Sequence, residues 1–348
     1  MGGLYPMVRG RAAPILISMK PNPSSRIRLA ILLAFTVGSS RPVVAEELES
    51  ETPRLGTELT DAVRLQVSLD RAEFAPGKID GKSGRFTRMA LQLYRESIGE
   101  AGKNAPGQEE LSDIGLALVV PLFVVYSVTA DDVANLGKVP DTVVDQAKES
   151  AMPYESVIEL VAERFHADVD FLGLLNPEMN GDLKEGDSVT VPNVVPFDLA
   201  AVKGLKVGSG IGAGKTAVEI STESSMLTVR EDGQLVAAYP VTFGTALNES
   251  PIGSWKVTGI AKMPDFRYDR AMLDRGVRSE EFSILPPGPN NPAGVLWIAL
   301  NRTGFGVHGT NDPGSIGRSG SHGCVRMANW DVARLAMRIN AGVPVVVR

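Results

Sequence analysis

A chain of 348 residues, 43% hydrophobic and 22% charged, carries enough apolar material for two or three domains, and it has neither a collagen period nor a coiled-coil bias. Its formal charge of −6 excludes a generic nucleic-acid binder, which needs a basic face to displace phosphate counterions. With 36 glycines and 23 prolines, short elements joined by long loops are expected.

At the amino terminus, Arg26 and Arg28 precede the apolar run 29–37, and Val43, Val44 and Ala45 put small residues at a cleavage position. That is the layout of an export signal over residues 1–45, with Met19 as the alternative true start; a buried strand or helix opening a domain is the competing reading. The run is too short to span a bilayer comfortably. A single cysteine forbids an internal disulfide, so the thiol of an exported chain is free or pairs with another molecule.

Residues 46–57 read as a polar linker. Helical spacing at Leu65 and Leu69, and again at Met89, Ala90, Leu93 and Tyr94, brackets the turns Pro76-Gly77 and Asp80-Gly81, giving a small helical module over 58–105. With Ile79-Asp80-Gly81, Gly84, Thr87, Ala90-Leu91 and Tyr94 in that order, the module resembles the peptidoglycan-binding helical domain. The apolar run 114–128, broken by Pro121, reads as two buried strands. Further on, Val157, Leu160, Val161 and Phe165 share a helix face, a second short helix ends at Leu175-Asn176-Pro177, and a strand follows at 188–191. With Leu175-Asn176-Pro177 ahead of that strand, region 114–196 resembles the β-α-α-β LysM module, although residues 129–153 intervene where that family has only a few. His166 reads as a partly exposed helix residue.

The glycine-rich stretch near Gly204 to Lys215 invites a phosphate-loop reading, but the residues after it alternate like a strand and do not open a helix. Residues 197–214 are therefore an interdomain linker. From 215 to 348 the chain reads as a β domain, with strands at 217–220 and 226–229, a hairpin at Asp232-Gly233, a continuous run 235–243, and further strands at 255–260 and 295–300. Residues 265–282 are weakly patterned, and the proline-rich 286–294 excludes regular structure; so long an irregular insertion is usually functional. A helix is expected where Val332, Leu335, Ala336 and Ile339 share a face, capped by Asn329 or Asp331 and ended by Gly342, before a last strand at 343–347.

The chemistry concentrates near the end. Cys324, the only cysteine, has His322 two residues before it and His308 sixteen upstream, and either imidazole could serve as the base a thiol nucleophile needs. Gly320 and Gly323 would let backbone N–H groups converge as an oxyanion hole. Two bland readings compete: a cysteine buried as a small hydrophobe, and a zinc site made of two histidines and the cysteine.

Several separated motifs narrow this. The segment 215–348 resembles the YkuD-type L,D-transpeptidase catalytic domain in His308-Gly309-Thr310, Gly317, Ser321-His322-Gly323-Cys324 and Arg326, in the Ser250-to-Val257 strand, and in the turn 286–294. The fold class expected is thus multidomain α+β: a β-rich catalytic domain with one C-terminal helix, preceded by the helical module and the LysM-like module. The resemblance implies Cys324 as nucleophile on the diaminopimelyl carbonyl of a stem tetrapeptide, forming a thioester and releasing D-alanine. It implies His308 as base, oriented by the Gly309 carbonyl, with N–H groups of His322, Gly323 and Cys324 at the oxyanion. Ser321 would hold the loop, Arg326 would bind a stem-peptide carboxylate, and Thr310 joins the substrate-binding set. No metal or organic cofactor is implied. The partners implied are peptidoglycan stem peptides and glycan strands, with a wall-anchored lipoprotein as an alternative acceptor, in the periplasm; a carbapenem is expected to acylate Cys324. A thiol hydrolase of the same wall and a non-catalytic wall-binding scaffold stay open as rivals.

Overall fold

The computed structural model describes residues 55–101, 116, 119–179, 181–209, 215–243, 252–275, 277–318 and 324–348, all within one compact unit, Ala45–Arg348. The export-signal reading at 1–45 lies outside them. Among the described residues no helix is long and apolar enough to cross a membrane.

The helical module is α1 (Thr57–Arg71) and α2 (Arg85–Ser97), joined by an extended loop. The middle region runs β1 (Phe123–Ser127), α3 (Ala130–Ala134), α4 (Val143–Gln146), α5 (Val157–Arg164), α6 (Val169–Leu175) and β2 (Ser188–Pro192). β1 and β2 pair antiparallel, Phe123 opposite Pro192 and Ser127 opposite Ser188. Side-chain caps start each helix here: Thr129 closes a capping box on Asp132, Thr142 accepts from Asp145 N–H, Ser156 from Glu159 N–H, and Asp168 from Asp170 and Phe171 N–H. Only one strand forms in 114–128, not the two expected among its described residues, because Asn193 N–H and side chain bind the Leu122 and Pro121 carbonyls and hold that approach as an irregular strap.

After α7 (Leu199–Val202) the C-terminal segment follows: β3 (Thr216–Ser221), β4 (Met226–Glu231), β5 (Gln234–Pro240), β6 (Thr242–Phe243), β7 (Gly253–Lys262), β8 (Phe266–Tyr268), α8 (Arg270–Arg275), β9 (Ser283–Leu285), β10 (Leu296–Leu300), β11 (Gly306–His308), β12 (Val325–Arg326), α9 (Asn329–Arg338) and β13 (Pro344–Val347). Its main sheet has the order β5-β4-β3-β13-β7-β10-β11-β12-β6. Asp232 and Gly233, both with positive φ (49° and 82°), turn the β4–β5 hairpin as their sequence demands. The described residues after the glycine-rich stretch enter β3 and open no helix, which a phosphate loop would need. Three expectations need correction. The run 235–243 splits at Val241, which lets β6 cross to β12. The weakly patterned stretch 265–282 is not irregular throughout: among its described residues Asp269 gathers Met272 N–H, Ser279 N–H and the Ser279 hydroxyl (3.0, 2.8 and 2.9 Å) at α8, between the antiparallel strands β8 and β9. Neither Asn329 nor Asp331 caps α9: the N-cap is Ala328 and both side chains are buried.

The three regions share their cores. Val63, Val67 and Ile79 of the helical module pack with α5, α6, β1 and β2, while Leu69, Phe74 and Leu91 pack on Met226, Leu235 and Ala238 of β4 and β5. The loop between α1 and α2 is the strap: Ala75 N–H binds the Ala238 carbonyl (2.8 Å) and Ile79 N–H binds the His166 carbonyl (2.8 Å). Residues 129–153 dock too, since Met152 exchanges backbone hydrogen bonds with Pro287 (2.9 Å) and Asn290 (3.1 Å) of the proline-rich turn. That approach needs glycine at 288, where a Cβ would lie 2.0 Å from the Met152 carbonyl oxygen.

His166 is not the partly exposed helix residue expected. α5 ends at Arg164, and His166 takes the left-handed conformation (φ 56°) while its N–H binds Glu163 O and Ala167 N–H binds Ala162 O, the Schellman pattern with histidine where glycine is usual. Its ring, 1% exposed, stacks on Trp330 and meets Asp70 through Nδ1 at 3.0 Å. Asp70 also receives both Arg334 nitrogens (3.1 and 2.8 Å), so one buried carboxylate on α1 ties the middle region and α9 together. Despite burial, Arg334 and His166 hold the Asp70 carboxyl well below the usual range, and burial pulls His166 down.

Candidate active site

The site is set by strand register. β11 and β12 run parallel, Val307 opposite Val325 and His308 opposite Arg326. Val307 and Val325 point into the core, 2% and 0% exposed, so His308 and Arg326 share the other face. One residue back along that register, Cys324 comes opposite Gly306, on the face His308 shares. Diagonal neighbours on adjacent strands have Cα atoms roughly 7–8 Å apart, a gap that a thiol and an imidazole can close from their two sides.

His308 is 7% exposed, and its ring stacks on Trp297, its partner on β10 (centroids 5.1 Å, planes at 15°). Nδ1 lies 2.7 Å from the Gly309 carbonyl oxygen. A carbonyl only accepts, so Nδ1 carries the proton and Nε2 keeps the lone pair. Burial pushes His308 down to about 4, helped by the Arg326 charge and opposed by the Gly309 and Ala293 carbonyls.

The Cys324 thiol donates to the Gly304 carbonyl at 3.3 Å. Burial pushes it up to about 11, against the pull of the Gly306 N–H. The resting pair is therefore neutral thiol and neutral imidazole. A raised thiol beside a lowered imidazole disfavours a preformed thiolate–imidazolium pair. That arrangement suits proton transfer to His308 as the thiol attacks a carbonyl.

Asn329, expected as a cap, is instead a buried clamp, 0% exposed. Its Oδ1 accepts Val295 N–H at 3.1 Å and sits so close to Gly294 and Gly309 that a Cβ on either would lie 2.1 Å from it. Its Nδ2 donates to Glu163 Oε1 at 2.8 Å. The proline-rich turn is equally fixed: Asn291 Oδ1 accepts Ala293 N–H (2.8 Å) and its Nδ2 donates to the Pro286 carbonyl (2.8 Å). Asn329, Glu163, Asn291 and Trp297 were not singled out as site residues, and for Glu163 no local signal exists, since its partner lies 166 positions away.

Of the residues singled out, Cys324, His308, Gly309 and Arg326 are brought together. Thr310 lies in the turn after β11, 1% exposed, where its hydroxyl accepts Asp312 N–H at 3.1 Å. Ser321, His322 and Gly323 lie outside the described residues, as does Gly320. The approach to them is braced from the helical module, since a Cβ on Gly317 (φ +75°) would lie 2.2 Å from the Phe86 ring. Among the described residues no three His, Cys, Asp or Glu side chains are grouped to hold a metal.

The family model of the YkuD L,D-transpeptidase catalytic domain matches residues 215–347. YkuD of Bacillus licheniformis, which carries the L,D-transpeptidase name, is 28% identical over 191 residues, 54% of this chain and 91% of that protein. That alignment is longer than the catalytic segment, so the similarity continues N-terminal to residue 215. YqjB of Bacillus subtilis, similarly named, is 30% identical over 139 residues, 38% of this chain and 72% of that one. Among solved structures, an L,D-transpeptidase from Mycobacterium smegmatis is 21% identical with a TM-score of 0.31, covering 39% of this chain and 59% of its own. Through its C-terminal segment, the chain belongs to the YkuD family of L,D-transpeptidase catalytic domains.

Proposed function

We propose that the chain is a cysteine L,D-transpeptidase of peptidoglycan. The observation that carries this reading is the parallel pairing of β11 with β12, which sets Cys324 and His308 on one sheet face beside Arg326. In the first half-reaction Sγ attacks the carbonyl carbon between the diaminopimelyl residue and the terminal D-alanine of a donor stem. His308 Nε2 takes the thiol proton as the C–S bond forms, and backbone N–H groups of His322, Gly323 and Cys324 receive the oxyanion. Collapse breaks the C–N bond, and the imidazolium returns its proton to the departing D-alanine amine. In the second half-reaction an acceptor amine attacks the thioester, loses a proton to His308, and Sγ leaves as thiol. Arg326 binds a stem-peptide carboxylate.

The neutral resting pair suits transfer: the imidazole is unprotonated at neutral pH and available as base in both halves. Residues 1–45 act as an export signal to the periplasm, and the helical and middle regions hold the enzyme against glycan and stem peptides, raising their local concentration. Acceptors are stem-peptide amines, with a wall-anchored lipoprotein amine as the alternative.

Incubation of the mature protein with disaccharide-tetrapeptide from a diaminopimelate-type wall tests the reading. Crosslinked dimer and free D-alanine, both lost in Cys324→Ala, are expected. Tripeptide without dimer would assign a hydrolase, and unchanged substrate would leave a wall-binding scaffold.

A further inference from the structure

α5 belongs to the middle region, yet it reaches the supports of the catalytic histidine. Its Glu159 and Glu163, four residues apart and so on one helix face, each receive an asparagine of the catalytic segment: Asn290 Nδ2 at 2.7 Å and Asn329 Nδ2 at 2.8 Å. Asn290 belongs to the turn that ends in Ala293 and Gly294. Asn329 presses its Oδ1 against Gly294 and Gly309 and holds Val295 N–H. The two carbonyls facing His308 are those of Ala293, whose N–H is held by Asn291 of the same turn, and Gly309, which lies against Asn329. We propose that Glu163, from outside the catalytic segment, is a positioning residue for His308, acting through Asn329.

The geometry leaves Asn329 no other orientation. Its Oδ1 must face the Val295 N–H, which directs Nδ2 at Glu163; flipped, the amide would set Nδ2 against Val295 N–H and Oδ1 against the Glu163 carboxylate. Glu163 is fixed in turn by the Tyr154 hydroxyl on its second oxygen. Both bonds favour the carboxylate, against burial and the nearby Glu159 charge, which together lift Glu163 to about 7. Removing the carboxylate leaves Nδ2 with only the Pro289 carbonyl at 3.5 Å. Asn329 then keeps only the Val295 N–H anchor, and the Gly309 backbone packed against its Oδ1 is held less firmly where its carbonyl meets Nδ1. The middle region thus helps to build the catalytic site as well as standing beside it.

This rests on the reading of His308 as base, and the test separates the two. In the full-length mature chain, D-alanine release from disaccharide-tetrapeptide is measured for wild type, Cys324→Ala, Glu163→Ala and Glu163→Gln. The titration of His308 is followed by NMR with labelled histidine, only three being present. Glu163→Ala is expected to lower kcat at least tenfold with KM changed less than twofold, because misplacing a base by about 1 Å costs up to ~100-fold. His308 should then titrate above the value of about 4 it has when buried, moving toward that of a solvated imidazole. Glu163→Gln, whose Oε1 still accepts from Asn329, should restore most of kcat and the low titration. Should Glu163→Ala fail to fold, Glu163→Asp, which keeps the charge but withdraws it by one methylene, is expected to show the same kcat loss and upward titration. Unchanged kcat and His308 titration in a folded Glu163→Ala or Glu163→Asp would overturn the proposal, as would a Gln variant no better than Ala. D-alanine release surviving Cys324→Ala would instead overturn the mechanism beneath it.

Discussion

The resting state of Cys324 yields the sharpest prediction, because burial and catalysis pull the thiol in opposite directions. Many activated cysteines rest as thiolates beside an imidazolium and alkylate fast at neutral pH. Here the thiol is lifted from 9.0 to about 11 and His308 is lowered to about 4, so the ion pair is absent. At pH 7 a shift of about two units cuts the thiolate fraction about 100-fold relative to an unshifted thiol. A more basic thiolate is about 6–10-fold more nucleophilic, so the net rate is about 10–16-fold lower. Iodoacetamide alkylation of Cys324 should therefore run about tenfold slower than that of a free cysteine at pH 7 and climb about tenfold per pH unit to pH 10 without levelling. His308→Ala should change this rate little, yet reduce D-alanine release by about 10²–10⁴, since base catalysis acts only during attack. A plateau of alkylation below pH 8 in wild type, abolished by His308→Ala, would refute the neutral-pair account.

Other outcomes follow from the buried contacts. Gly309→Ala puts a Cβ 2.1 Å from Asn329 Oδ1, so D-alanine release should fall at least tenfold with a stability loss of about 1–3 kcal/mol; retained activity would mean that Asn329 yields freely. Asp70→Ala strands Arg334 and His166 in the interior, and urea unfolding should record a loss of about 3–5 kcal/mol, whereas a loss under 1 kcal/mol would contradict the buried-pair account. Burial raises Asp331 from 3.8 to about 8 despite Arg334 at 3.8 Å, with Asp70 and Glu73 adding to the rise. A raised folded-state value gives stability that is complete below pH 3.8 and lost as pH rises through 8. Asp331→Asn, neutral and nearly isosteric, should flatten the decline of Tm between pH 4 and 8 and be the more stable protein at pH 8; parallel Tm curves would reject this.

Local signals carried most of the fold. Asp232-Gly233 named its hairpin, the apolar face of α5 and that of α9 fell where their spacing put them, and the proline-rich turn stayed irregular. What failed was set by distant partners. His166 looked like a surface helix residue because nothing nearby announces Asp70, 96 positions away, or Trp330. Asn329 stands at a helix start, where asparagine ordinarily caps, but Glu163 and Val295 claim both ends of its amide. The stretch 265–282 is weakly patterned because Asp269 holds it by side-chain bonds to Ser279, which no alternation of apolar residues encodes. The site followed the same division. Cys324 was legible from its residue type and setting, but the residues left His308 and His322 equal as its base and only the family resemblance named His308; the pairing of β11 with β12 that sets Cys324 and His308 on one face joins strands separated by 16 positions in sequence.

The central claim is that Cys324 holds the donor stem as a thioester. Intact-mass measurement of the mature protein quenched in acid during turnover, with peptide mapping, tests it directly. A wild-type adduct equal to disaccharide-tetrapeptide minus D-alanine, located on Cys324, lost on hydroxylamine treatment and absent from Cys324→Ala, is expected. D-alanine release without any adduct on Cys324, or with the same adduct in Cys324→Ala, would contradict the account.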